Sequence, residues 1–116
     1  MNEIAISGTI TADLDDLFFC IKALSLIEDN LVSIKHRIFG EEINYEDDKI
    51  SIYVNLYKNG VEKRNDYLFD CSFSETENDV ESFLLELSNL LENKNAIYSF
   101  EYTKSGQGIE INNYAE

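Results

Sequence analysis

A chain of 116 residues with 23 acidic side chains against nine basic ones carries a formal charge of -14 at neutral pH, and its single histidine changes that little. Such a field repels nucleic acid and anionic membrane and attracts cationic protein surfaces. With 44% hydrophobic residues the composition is that of a folding chain rather than a disordered acidic tail, and one acidic domain over residues 1–116 is expected.

The opening Met1-Asn2-Glu3-Ile4 has no basic segment leading into an apolar stretch, so no signal peptide is expected, and no apolar run is long enough to span a bilayer. Cys20 and Cys71 each sit among apolar neighbours and are expected as free buried thiols in a reducing compartment, which makes the chain cytoplasmic. Proline is absent, and no linker or internal repeat marks a second domain.

In chain order, residues 3–10 alternate, with Ile4, Ile6 and Ile10 on one face and Gly8 in their register, which predicts a strand. Thr11 and Asp13 are candidate caps for a following helix. Asp13, Asp15 and Asp16 crowd its positive end, and Leu14, Leu17, Phe18, Ile21 and Leu24 form its buried stripe. The period returns to two after Asn30, placing Val32, Ile34, His36 and Ile38 together, so His36 is expected as a partly buried core histidine. Residues 41–48 are expected as a polar loop. Residues 50–57 read as the cleanest strand, with Ile50, Ile52, Val54 and Leu56 inward and Tyr53 and Tyr57 outward.

Asn59-Gly60 suits a two-residue type I′ hairpin, returning through Tyr67, Phe69, Cys71 and Phe73. Ser74 with Glu77, or Thr76 with Asp79, offers capping-box spacing for a second helix whose stripe is Val80, Phe83, Leu84, Leu87, Leu90 and Leu91. Asn93–Asn95 ends that helix. Residues 96–103 alternate aromatic with polar, and Gly106 and Gly108 turn the chain into a short segment at 109–111. The order β-α-β-β-β-α-β-β predicts an α+β, ferredoxin-like two-layer sandwich: a mainly antiparallel sheet of four to six strands with two helices on one face.

Chemistry is sparse. Neither cysteine has a histidine or cationic neighbour in sequence to activate it, there is no phosphate-binding glycine loop, and Gly106-Gln107-Gly108 is too short to make one. No catalytic residue, no cofactor and no dedicated metal site is expected. The run 41–48 holds five acids, Glu41, Glu42, Glu46, Asp47 and Asp48, but lacks the alternating ligands and glycine of an EF-hand. Outward tyrosines on a sheet suit RNA stacking, yet the surrounding charge opposes phosphate, so no direct nucleic-acid contact is expected. Tyr53 and Tyr57 suit a protein interface better. A second acid set, Glu75, Glu77, Asp79 and Glu81, has a local use at the start of the second helix.

The candidate partner-binding residues are therefore Glu41, Glu42, Glu46, Asp47, Asp48, Tyr53 and Tyr57. In size, acidity and lack of catalytic residues the chain resembles bacterial immunity proteins that neutralise toxin domains, a resemblance of overall character. It implies a stoichiometric inhibitor of a basic toxin, a nuclease domain first, captured through charge complementarity. The alternatives are a non-catalytic regulatory or structural subunit, including a homodimer joined through its sheet, and a DNA-mimicking inhibitor of a nucleic-acid enzyme.

Overall fold

The computed structural model describes residues 3–38, 40–60, 64–74 and 77–114. The elements are β1 (Ile4–Asp13), α1 (Leu14–Lys22), a 3-10 turn (Asp29–Leu31), β2 (Ser33–Arg37), β3 (Gly40–Glu46), β4 (Ile50–Lys58), β5 (Arg64–Phe73), α2 (Glu77–Asn93), β6 (Ile97–Lys104) and β7 (Gln107–Asn112). The strands form one antiparallel sheet in the order β2-β3-β4-β5-β1-β6-β7.

Period-two patterning divides this sheet into a buried and an open face. Ile4, Ile6 and Ile10 of β1, Ile52 and Val54 of β4, Phe69 and Phe73 of β5, and Phe100 and Tyr102 of β6 all lie in one buried cluster. Leu17 and Ile21 of α1 and Phe83, Leu84 and Leu87 of α2 complete it, so the helices cover that face. The Phe69 and Phe100 rings meet edge-on at 5.1 Å, and Phe73 meets Phe83 of α2 at the same distance. Gly8 is paired with both Phe69 and Phe100, and a Cβ there would stand 2.0 Å from the Ser99 carbonyl oxygen. The centre of the sheet closes only over a glycine.

Local signals set the helix ends. Asp13 caps α1 by accepting from the Asp15 N–H at 2.9 Å, with Asp15 and Asp16 in the first turn. At the end of α2, Asn95 takes φ 59°, its N–H reaching the Glu92 carbonyl and that of Ala96 the Leu91 carbonyl, which is a Schellman closure. Of the two cap candidates for α2, Thr76 lies outside the described residues. Ser74 precedes the helix and donates its backbone N–H to the Lys49 carbonyl.

Four sequence expectations are corrected. Among the described residues the sheet has seven strands, not four to six, because residues 41–48 contain β3 rather than a loop throughout. Only Ile43 and Tyr45 of β3 are buried, and Glu42, Asn44 and Glu46 face solvent, so acid density hid a period-two pattern. His36 is not a core histidine: its side chain is 78% exposed, 3.7 Å from Glu41, since β2 is a sheet edge beyond the reach of the helices. Neither Asn59 nor Gly60 has the positive φ of a type I′ turn. The β4–β5 connection runs over residues 59–63, of which 61–63 lie outside the described residues. The two-residue turn with positive φ at both positions is Ser105-Gly106, at φ 51° and 80°, joining β6 to β7.

Candidate functional site

The uncovered face of the sheet is where the chain's charge meets its architecture. Outward positions place Glu42 and Glu46 on β3, Asp66 and Asp70 on β5, Glu101 on β6 and Glu110 on β7. One transverse row runs Ser33–Asn44–Tyr53–Asp70–Ser7–Glu101–Glu110 across all seven strands. Adjacent strands lie about 4.8 Å apart, so Glu101 and Glu110 are immediate neighbours and Asp70 flanks Ser7 from the other side. Like charges directly opposed across a ladder destabilise it. Among the described residues Asp70 and Glu101 have no hydrogen-bond or ion-pair partner. Cations on this face stand toward β2, at Lys35 and Arg37, and at Lys58, which lies opposite Asp66 in the β4–β5 register, while the Asp66 carboxylate accepts from the Thr11 hydroxyl at 2.6 Å.

The sequence candidates separate into three groups. Glu42, Glu46 and Tyr53 share the open face. Arg37 donates to Glu42 at 3.3 Å and Asn44 donates to it at 2.7 Å; the amide first, then the guanidinium, hold the Glu42 carboxyl below its ordinary range against a smaller desolvation effect. The Tyr53 and Ser51 hydroxyls both stand 3.4 Å from Glu46, and Tyr53 is 43% exposed. Asn44 Oδ1 is buried with no hydrogen-bond partner, beside a cleft of about 460 Å³. An orphaned acceptor of this kind carries a desolvation penalty that an incoming N–H would relieve.

Glu41 points to the opposite face, beside His36. Tyr57, 67% exposed, is the extra residue of a β-bulge between Leu56 and Lys58.

Asp47 has a structural task that its place in an acid run concealed. Its carboxylate accepts from the Tyr45 hydroxyl and from the backbone N–H groups of Lys49 (2.7 Å) and Ile50 (2.8 Å), closing the β3–β4 turn, while Asp48 stays exposed. Desolvation pushes the Asp47 pKa up, but these three donors outweigh it and hold the carboxyl below 3.8. Asp47→Ala is expected to lower stability at neutral pH by about 1–2 kcal/mol. Because the folded pKa is the lower one, this contribution is complete above the ordinary aspartate pKa and is lost as pH falls through the depressed value. Urea unfolding at neutral and strongly acidic pH should therefore show the gap between wild type and variant narrowing in acid. A gap that stays constant would remove the carboxylate from the turn's energetics.

The residues missed by local reading are Asp66, Asp70, Glu101 and Glu110. Asp66 and Asp70 stand four residues apart on β5 and Glu101 and Glu110 on separate strands, and only the strand order gathers them. The thiols of Cys20 and Cys71 are free and buried, pushed up to about 11 and about 12, burial being the leading cause in both. Among the described residues no group of three or more His, Cys, Asp or Glu side chains is placed to hold a metal ion, and no helix is long and apolar enough to cross a membrane.

No family model, no curated protein and no solved structure matches the chain.

Proposed function

We propose that the protein is an acidic, stoichiometric inhibitor of a basic protein, of the immunity type, and that it docks through the open face of its sheet. A cytoplasmic toxin domain, foremost a nuclease, is the target whose chemistry fits, because a cleft built for phosphates presents cations that complement the acids of this face. The observation that carries the reading is the transverse row: Asp70 and Glu101 without a partner among the described residues, and Glu101 set against Glu110. Carboxylates so placed oppose folding and have no local use, unlike the helix-start acids or Asp47.

The exposed apolar groups on the same face, Tyr53 and Leu68, supply desolvated contact area, while the surrounding acids steer encounter. Glu42, Glu46 and Asp48 extend the field toward β3, and the orphaned Asn44 Oδ1 provides an acceptor for a partner N–H. We read the four strands β6-β1-β5-β4 and their two helices as a ferredoxin-like two-layer core widened on both edges, which enlarges the docking face.

The test is affinity capture from the native cell on immobilised wild type and on Asp70→Asn/Glu101→Gln, eluted at low and high salt. One basic protein held stoichiometrically by wild type, released by salt and poorly held by the variant is expected. A mixed assembly that survives high salt on both columns would instead favour the structural-subunit alternative.

A further inference from the structure

The two edges of the sheet are unlike. β2 carries Lys35, His36 and Arg37, all exposed, and such charges discourage further pairing by a cationic strand. β7 carries one charge, Glu110, and no proline across Gln107–Asn112. Because Ser105-Gly106 is a two-residue turn, Lys104 and Gln107 form the first hydrogen-bonded pair of the β6–β7 ladder. Alternation then turns the N–H and C=O groups of Gly108, Glu110 and Asn112 outward, away from β6.

On the helix side of this edge, Ile109 and Ile111 are only half-buried, since α2 covers β6 and stops short of β7. Between α2 and the edge lies a cleft of about 350 Å³ whose apolar lining is Leu85, 64% exposed, with Tyr98, Tyr102 and Ile111, beside polar α2 side chains that include Glu81 and Glu92. On the opposite side, Glu110 and Glu101 face solvent next to a shallow depression over Ser7 and Gly108.

We propose that β7 accepts an eighth, antiparallel strand from the basic partner, with lysine or arginine alternating with apolar residues. Its hydrogen-bonded pairs fall on Gly108, Glu110 and Asn112, whose side-chain positions belong to the open face. The residues opposite them are therefore the cationic ones, set against Glu110 and Glu101. The intervening apolar residues drop beside Ile109 and Ile111 and close the cleft under Leu85. A second copy of this chain is a poorer occupant, because it brings another -14 of charge to the same edge. The inference rests on the reading of the partner as basic, and it adds the recognition mode and the sequence pattern.

The probe is a short synthetic peptide of alternating valine and lysine, N-methylated either on its lysines or on its valines. Methylation on valine leaves every edge-facing N–H intact and blocks the peptide's own aggregation; methylation on lysine removes those donors at equal charge. The valine-methylated form is expected to bind and to slow amide exchange at Gly108, Glu110 and Asn112, and the lysine-methylated form to bind roughly tenfold or more weakly. Gly108→Pro, which removes one outward N–H where an added Cβ meets nothing, should weaken the first peptide without touching the β6–β7 ladder. Equal binding of the two peptides, or binding that leaves the three amides unprotected, overturns the added strand while leaving open-face capture standing. Sedimentation of the protein alone as a dimer that Gly108→Pro dissolves would hand the edge to a second copy and overturn the proposal as well.

Discussion

Gly8→Ala is expected to cost about 3 kcal/mol or more, and Gly8→Val to leave no cooperative unfolding transition. Gly8 lies in the middle of β1, the strand that joins both halves of the sheet, between β5 and β6. The added Cβ would meet the Ser99 carbonyl oxygen at 2.0 Å and the Phe100 Cα and ring at 3.0 Å. Backbone cannot rotate aside as a side chain can, so β1 and β6 must separate and the Phe69–Phe100 contact opens with them. Overpacking of this kind ordinarily costs about 1–3 kcal/mol, and a rigid backbone obstacle belongs at the top of that range or above. A domain of this size has about 5–15 kcal/mol in total. Urea denaturation followed by circular dichroism measures the loss. Gly108→Ala is the control, since a Cβ there meets nothing within 4 Å, and it should be close to neutral. If Gly8→Ala matched Gly108→Ala within about 0.5 kcal/mol, the close approach of β1 and β6 would be wrong.

The second large effect has the opposite sign for stability. Asp70→Asn/Glu101→Gln removes two carboxylates that have no partner among the described residues and ends the Glu101–Glu110 opposition. The variant is expected to be more stable than wild type by about 0.5–1 kcal/mol at low ionic strength. Added salt should shrink the difference, because exposed charges are screened over about 10 Å at 0.1 M. The same variant is expected to associate with its basic partner at least about tenfold more slowly, with dissociation less affected. A gain in folding stability joined to a loss in association is the mark of side chains kept for binding. Destabilisation by the double substitution would show instead that these acids hold the sheet together, and the argument for the docking face would fall with it.

Both effects depend on residues whose meaning differs in how far a sequence can express it. The apolar alternation in β1, β4 and β5 and the stripes of both helices were legible, because burial acts residue by residue with a fixed period. The caps were legible where a side chain bonds its own neighbourhood, as Asp13 does with Asp15. β3 was not, because a strand with a solvent face and a short buried register needs only Ile43 and Tyr45, and its outward acids look like a loop. The structural task of Asp47 was hidden for a related reason: three donors converge on it only after the turn has formed.

The sequence by itself therefore determined the charge, the α+β class, the buried faces and the absence of any recognisable catalytic motif, all of which follow from composition and short-range periodicity. The tertiary structure alone decided which acids stand together. Asp70, Ser7, Glu101 and Glu110 come from four strands, and their row exists because β1 is threaded between β5 and β6. That threading brings the apolar residues of β5, β1 and β6 side by side beneath the helices. The outward charges are carried into register by side chains that point the other way.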